Sequence, residues 1–230
     1  MLMYKFLIVA LIFLSCKHEK ANRISVAKPQ KISISTQINY DSCKRKIDTI
    51  KNEWKNEWKA LSLIEKSNIF TDAITKTIVP AWIGTQWEFN GTSEIPNKGS
   101  IACGYFVTTV LRDSGLPIAR IKLAQCASEE MIKTLVSKQN ISRFSNSNFK
   151  VFISFLKTNH NGLYVIGLDN HTGFILKDDA EIWFIHSTFI GNGRVQKEIA
   201  EKSSILKNSK YKIVGKISVD ENTLNRWIKN

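Results

Sequence analysis

Apolar and polar positions follow two rhythms along this chain, and the change between them divides it. In "SCKRKIDTIKNEWKNEWKALSLIEKS", residues 42–67, Ile47, Ile50, Trp54, Trp58, Leu61 and Ile64 recur at helical spacing with lysines and glutamates between them. This pattern predicts an amphipathic helix. The repeated "KNEW" sets both tryptophans on one face, which suits stacking on a sugar or, more plainly, packing of an apolar stripe on the domain. A second helical pattern runs from Ala102 to Ser114 and stops at Gly115, ahead of Pro117. A third opens at "SEEMIKTLV", where Ser128 can cap and Glu129 and Glu130 fall in the positive first turn. "NFKVFISFLKTN" fits helix or strand and is read as helix, because Val151, Phe152, Phe155 and Leu156 keep helical spacing.

After Asn161 the rhythm becomes that of strands. "LYVIGLD", "HTGFILK", "EIWFIHS" and "YKIVGKISV" are rich in β-branched and aromatic residues and are separated by Asp, Asn or Gly. Helices first and an antiparallel sheet second predict an α+β domain.

The start of the chain is of another kind. "MLMYKFLIVALIFLSC" has Lys5, an unbroken apolar run from Phe6 to Leu14, then Ser15 and Cys16. The run is too short for a permanent membrane span and reads as a secretory leader. It resembles the lipobox of bacterial lipoproteins, with Phe13 where leucine is usual. That resemblance implies cleavage before Cys16, lipidation of Cys16, and an exported protein anchored by lipid to a bacterial membrane. The organisation expected is therefore a leader over 1–16, a polar tether over 17–40 and one domain over 41–230.

Charge narrows the partners. The formal net charge is +13, which suits anionic polymers such as lipid headgroups, wall polysaccharide acids or the carboxylates of wall peptides. Nucleic acid is the other usual partner of a basic chain, but export and the lack of any nucleic-acid motif argue against it. With Cys16 lipidated, Cys43, Cys103 and Cys126 remain, an odd number that leaves at least one free thiol. No cysteine spacing matches a metal or haem motif, so metal binding through cysteine has little support, and the thiol chemistry considered below implies no metal or organic cofactor.

Cys103 falls at the predicted start of a helix, where unpaired backbone donors and the positive dipole end favour a thiolate. Taken alone it could equally be a small packing residue. A nucleophile also needs a base, and the chain offers four histidines. His18 lies in the tether and His160 in the loop sequence "TNHNG". His171 and His186 flank "TGFILKDDAEIWFI". If Asp178 and Asp179 form a two-residue hairpin turn, the two histidines oppose each other directly, one positioned to take the thiol proton and the other to orient it. Asp169 and Asn170 could serve as orienting groups instead, and Glu88, Asn90 and Thr92 are candidates to line a cleft.

"WIGTQWEFNGT" followed by "IACGYFVTTVLRDSGLP" resembles the approach to the nucleophile in the NlpC-type family of papain-like cell-wall cysteine peptidases. There a Gly-Thr-x-Tyr-x-x-Gly-Gly stretch precedes Asp-Cys-Ser-Gly-Phe-Val and a later Gly-Leu-Pro. "NHTGFILKDDAEIWFIHST" is similar to the family's His-Val-Gly-Ile-Tyr strand and the next strand ending in histidine. The resemblance covers Ala81 to Thr188. It implies a papain-like fold with Cys103 as nucleophile, His171 as general base and His186 as orienting residue. The chain departs from the pattern at Ala102, Gly104 and Tyr105, which replace Asp, Ser and Gly, and at Trp87, which replaces a tyrosine beside the nucleophile. Trp87, Asn90 and Tyr105 are expected to contact substrate. The activity implied is hydrolysis of amide bonds in peptidoglycan stem peptides. The altered surroundings of Cys103 leave two alternatives, an inactive module that binds wall peptides or a protein partner, and an amidase or acyltransferase on another amide.

Overall fold

The structure, a computed structural model, describes residues 39–230. The leader, Cys16, His18 and nearly all of the tether lie outside the described residues. Asn39 accepts from the N–H groups of Asp41 and Ser42 at 3.1 and 3.3 Å, so helix α1 (Tyr40–Trp54) begins where the polar stretch ends.

The expected helix over 42–67 is two helices. After α1 the chain turns, and Ser62 opens α2 (Leu63–Asp72) with a capping box: its hydroxyl accepts from the Glu65 N–H while the Glu65 carboxylate accepts from the Ser62 N–H at 2.7 Å. The break lets Trp58 leave the helical stripe and bury itself against Trp227, with ring centroids 5.7 Å apart. Packing, not sugar, occupies Trp58. A π-helical segment, Ala73–Ile78, leads into α3 (Val79–Trp82) and widens the turn ahead of Pro80, which has no N–H to give.

Next comes α4 (Cys103–Asp113), closed at Gly115 with φ +85° as the glycine signal predicts. Two shorter helices follow, α5 (Arg120–Gln125) and α6 (Ser128–Leu135). Ala127, not Ser128, stands at the N-cap of α6, and the Ser128 hydroxyl reaches the Leu168 carbonyl at 3.5 Å. Then come β1 (Ile141–Ser145), α7 (Phe149–Thr158), β2 (Gly162–Leu168), β3 (Thr172–Lys177), β4 (Ile182–Thr188) and β5 (Arg194–Ile199). The chain ends in α8 (Ser204–Asn208), β6 (Tyr211–Gly215) and α9 (Glu221–Lys229). Of the predicted "YKIVGKISV" strand only the first half is extended, and Ile217–Val219 forms a 3-10 turn.

The strands make one antiparallel sheet in the order β1-β6-β2-β3-β4-β5. The α+β expectation holds at that level, although helices are not confined to the first half: α7, α8 and α9 interleave with strands or follow them. Alternation along each strand serves two cores. Val165, Phe174, Ile185 and Ile213 face the larger one, shared with α1 to α6 and α9. Tyr164, Ile175, Phe184 and Val214 face a smaller one covered by α7 and α8. Trp227 locks α9 into the larger core, since its ring also meets Phe70 and its indole N–H donates to the Ser114 carbonyl at 2.5 Å. Burying an aromatic side chain of this kind contributes about 1.5–3 kcal/mol. No helix of the described residues is long and apolar enough to cross a membrane.

Candidate active site

The β3–β4 hairpin sets the histidines. Its turn has four residues, not two: Asp178 accepts from the N–H groups of Ala180 and Glu181 through its side chain, and its own N–H donates to the Glu181 carbonyl at 3.2 Å. Phe174 therefore pairs with Ile185, and Lys177 with Ile182. The register is two residues away from the expected one, so His171 and His186 do not oppose each other directly. They sit on the diagonal. A shift of two keeps every side chain on its face, whereas a shift of one would have separated the histidines.

Contact survives because the position across from His186 in this register is Gly173. A Cβ there would lie 2.7 Å from the Phe184 ring and 2.9 Å from the His186 Cβ. Without it the His186 ring leans over to bring its Nδ1 within 2.9 Å of His171 Nε2. Phe184 stacks on the His186 ring with centroids 3.9 Å apart and meets His171 edge-on. On β5, Gln196 pairs directly with His186, and Glu198 stands on the next diagonal with Oε1 3.3 Å from His186 Nε2. His186 is fully buried.

Cys103 comes from the other direction, at the first position of α4 behind an N-cap, Ala102, that has no side-chain acceptor. The first-turn N–H groups of a helix have no partner inside it. Gly104 lets this end press against α5, because a Cβ there would lie 2.5 Å from the Ala124 carbonyl oxygen. The two arms are joined at Ser187, next to His186, whose buried hydroxyl donates to the Ile101 carbonyl at 2.6 Å.

Cys103 and His171 both line a cleft of about 850 Å³, together with all three residues expected to contact substrate: Trp87, Asn90 and Tyr105. Trp87 is carried on a segment that pairs with the outer edge of β5, its N–H donating to the Gly193 carbonyl at 2.8 Å, and its ring packs on Phe189 at 5.4 Å. Phe89 and Phe189 are 82 % and 65 % exposed at this rim. Tyr105 accepts from the Gln125 amide, and the Arg120 guanidinium lies 4.9 Å from its ring centre. Arg120 is buried and also donates to Thr109 and to the carbonyls of Thr92 and Ser93, fastening the rim loop to α4. The lining includes no lysine or arginine, and its one carboxylate, Asp169, is engaged by Ser209 and the N–H groups of Lys210 and Tyr211. Asp169 therefore holds the β2–β3 turn to β6 and does not orient His171. Thr92 lines the cleft, while Glu88 turns away to accept from Ser100 at 2.8 Å.

The electrostatics differ from the thiolate expected at a helix start. Burial pushes the Cys103 thiol up, against a smaller opposite pull from the N–H groups of Thr172, Gly104 and Cys103 itself. Burial and the neighbouring His186 push His171 down to about 3. His186 is lowered by burial and partly restored by Glu198. At neutral pH the cleft therefore holds a neutral thiol and a neutral imidazole along one lining. Cys43, Cys103 and Cys126 are all free thiols, Cys43 and Cys126 half-buried against the core. His160 is exposed on its loop. Among the described residues no group of three or more His, Cys, Asp or Glu is placed to hold a metal ion.

Glu198 and Gln196 were not legible as site residues. "RVQKEI" looks like a solvent-facing stretch, and only the observed position of β5 beside β4 puts its polar face against His186. No family model, curated protein or solved structure matches the chain.

Proposed function

We propose that this protein is a cysteine hydrolase of NlpC type on a papain-like fold, cleaving amide bonds of peptidoglycan stem peptides from a lipid anchor at Cys16. One observation carries the reading: the order Cys103, His171, His186 read in the sequence is supported by a 2.9 Å contact from buried His186 to His171, which lines a cleft together with the cysteine.

The Cys103 thiol starts neutral, so attack and proton transfer go together. Its sulfur bonds to the amide carbonyl carbon while its proton passes to His171. Backbone N–H groups at the start of α4 stabilise the oxyanion. His171 then gives the proton to the departing amine, the C–N bond breaks, and a thioester remains. Water, deprotonated by the same imidazole, releases the carboxylic acid and restores the thiol. An acceptor amine in place of water would make the enzyme an acyltransferase.

The raised Cys103 thiol and the exposed aromatic rim favour a second reading, a module that binds wall peptides without cleaving them. Incubation of the full chain with purified wall peptides separates the two. Cleavage yields new amino groups and fragments of the expected masses, and both Cys103→Ala and His171→Ala abolish it with unchanged thermal midpoints. Retained cleavage in both variants overturns the catalytic assignment, and binding without cleavage by the native chain establishes the second reading.

A further inference from the structure

The contact between the histidines can be made in two ways. Either His171 donates from Nε2 to a bare His186 Nδ1, or His186 donates from Nδ1 to a bare His171 Nε2. The choice decides the chemistry, because it fixes whether the remaining nitrogen of His171, Nδ1, carries a lone pair or a proton. Only the first arrangement leaves His171 able to accept the thiol proton.

The far nitrogen of His186 resolves it. The Glu198 carboxylate lies 3.3 Å from His186 Nε2. An ionised carboxylate accepts and cannot donate, so a bare Nε2 would oppose lone pair to lone pair in a buried setting. A protonated Nε2 turns the same contact into a charge-assisted hydrogen bond. Gln196 presents its amide nitrogen 3.3 Å from the same atom, so the Nε2-H form requires that amide turned to offer its oxygen, an exchange of two groups of the same shape. Glu198 is therefore the one neighbour of His186 Nε2 that discriminates.

We infer that Glu198 is a positioning residue: by accepting from His186 Nε2 it leaves His186 Nδ1 bare, makes His171 donate from Nε2, and keeps the lone pair of His171 Nδ1 for the Cys103 thiol. A relay of contacts runs from Glu198 on β5 through His186 on β4 to His171 just ahead of β3, which lines the cleft with Cys103 at the start of α4. It adds a fourth member to the trio, one that touches neither thiol nor substrate. Glu198 suits the task by remaining ionised: the hydrogen bond from His186 holds its carboxyl below the usual range.

This inference rests on the catalytic reading for its purpose but not for its test. Nitrogen-15 spectra of the labelled full chain, with His18 and His160 assigned by His→Gln variants, report the protonated nitrogen of each imidazole. The expected result at neutral pH is the Nε2-H form for both His171 and His186. In Glu198→Gln the lock is lost, and His186 shifts to the Nδ1-H form or a mixture. Glu198→Asp restores the native form at least in part. Alkylation of Cys103 by iodoacetamide, read by the mass of its peptide, slows roughly tenfold in Glu198→Gln, a partial loss of the general-base assistance whose full scale is about 10²-fold or more. An unchanged thermal midpoint excludes unfolding as the cause.

Nδ1-H at His186 in the native chain, or identical spectra in native and Glu198→Gln proteins, overturns the inference even if the protein cleaves wall peptides. Native tautomers that depend on Glu198 in a chain that cleaves nothing would uphold the lock and overturn the proposed function.

Discussion

The two arms of the cleft reach the same place by different means. Cys103 is placed by backbone: a helix start, a glycine that admits the α5 main chain, and N–H groups aimed at the sulfur. The histidines are placed by side chains, through a strand register and a chain of polar contacts to Glu198. A backbone arm is insensitive to neighbouring side chains except where one would fill space that the main chain occupies, as at Gly104. A side-chain arm fails if any link is cut. Each arm nonetheless has one glycine where a methyl group would decide the matter.

The sharpest way to break the comparison is Gly173→Ala. The new methyl would meet Phe184, the Ile185 carbonyl and His186 within 3 Å, so the His186 ring has to withdraw from His171. Cleavage is expected to fall by about 10²-fold or more, the scale of a lost general base, at a stability cost of about 1–3 kcal/mol. Gly104→Ala should cost a similar 1–3 kcal/mol by pushing α4 off α5. Its histidine spectra should stay native, and altered tautomers there would show that the arms are not independent.

Acid tests the histidine arm once His171→Gln separates its share from that of the salt-bridged and capping carboxylates. His171 refuses a proton in the fold until about pH 3, while the unfolded chain takes one near 6.5. Its contribution is complete above 6.5 and is lost as pH falls from there toward 3. Glu198, depressed in the fold, adds a loss at the lower end of that window. Thermal midpoints between pH 7 and 4 should therefore decline, and decline less steeply in His171→Gln; equal slopes would remove His171 as a cause. Ser187→Ala cuts the join between the arms and should cost about 1 kcal/mol, with slower cleavage and intact tautomers. The smallest effect is expected of Phe189→Ala at the exposed rim, within about 0.5 kcal/mol in stability and visible as a raised KM.

Much of the backbone arm was legible in the sequence, because local signals built it. The start of α4 and the helix α7 follow from apolar spacing, and the stop of α4 from its glycine signal. The break between α1 and α2 was written as well, in the Ser62 to Glu65 capping box, but the helical spacing runs on through it and masked it. The side-chain arm was legible only in part. The order of cysteine and histidines could be read, and so could their shared face, since the register error was even. The turn that set the register depends on the Asp178 side chain bonding its own backbone, which competes with the two-residue geometry. Glu198 was invisible for a topological reason: nothing in "RVQKEI" tells which strand it will lie beside. Helix α9 carried a readable spacing in Leu224, Trp227 and Ile228, yet its place depends on a partner, Trp58, from the other end of the domain.

The cleft without lysine or arginine has a kinetic consequence in a chain of net charge +13. Under the proposed function, attraction to an anionic wall acts on approach, over distances that mobile ions screen. Once a peptide is seated, few fixed charges remain for those ions to screen. Raising ionic strength should therefore slow capture of the polymer and lower kcat/KM on intact wall, while kcat on a small neutral amide stays constant. The molecule would separate the task of finding its substrate, assigned to the charged exterior, from the task of cutting it, assigned to an interior indifferent to salt.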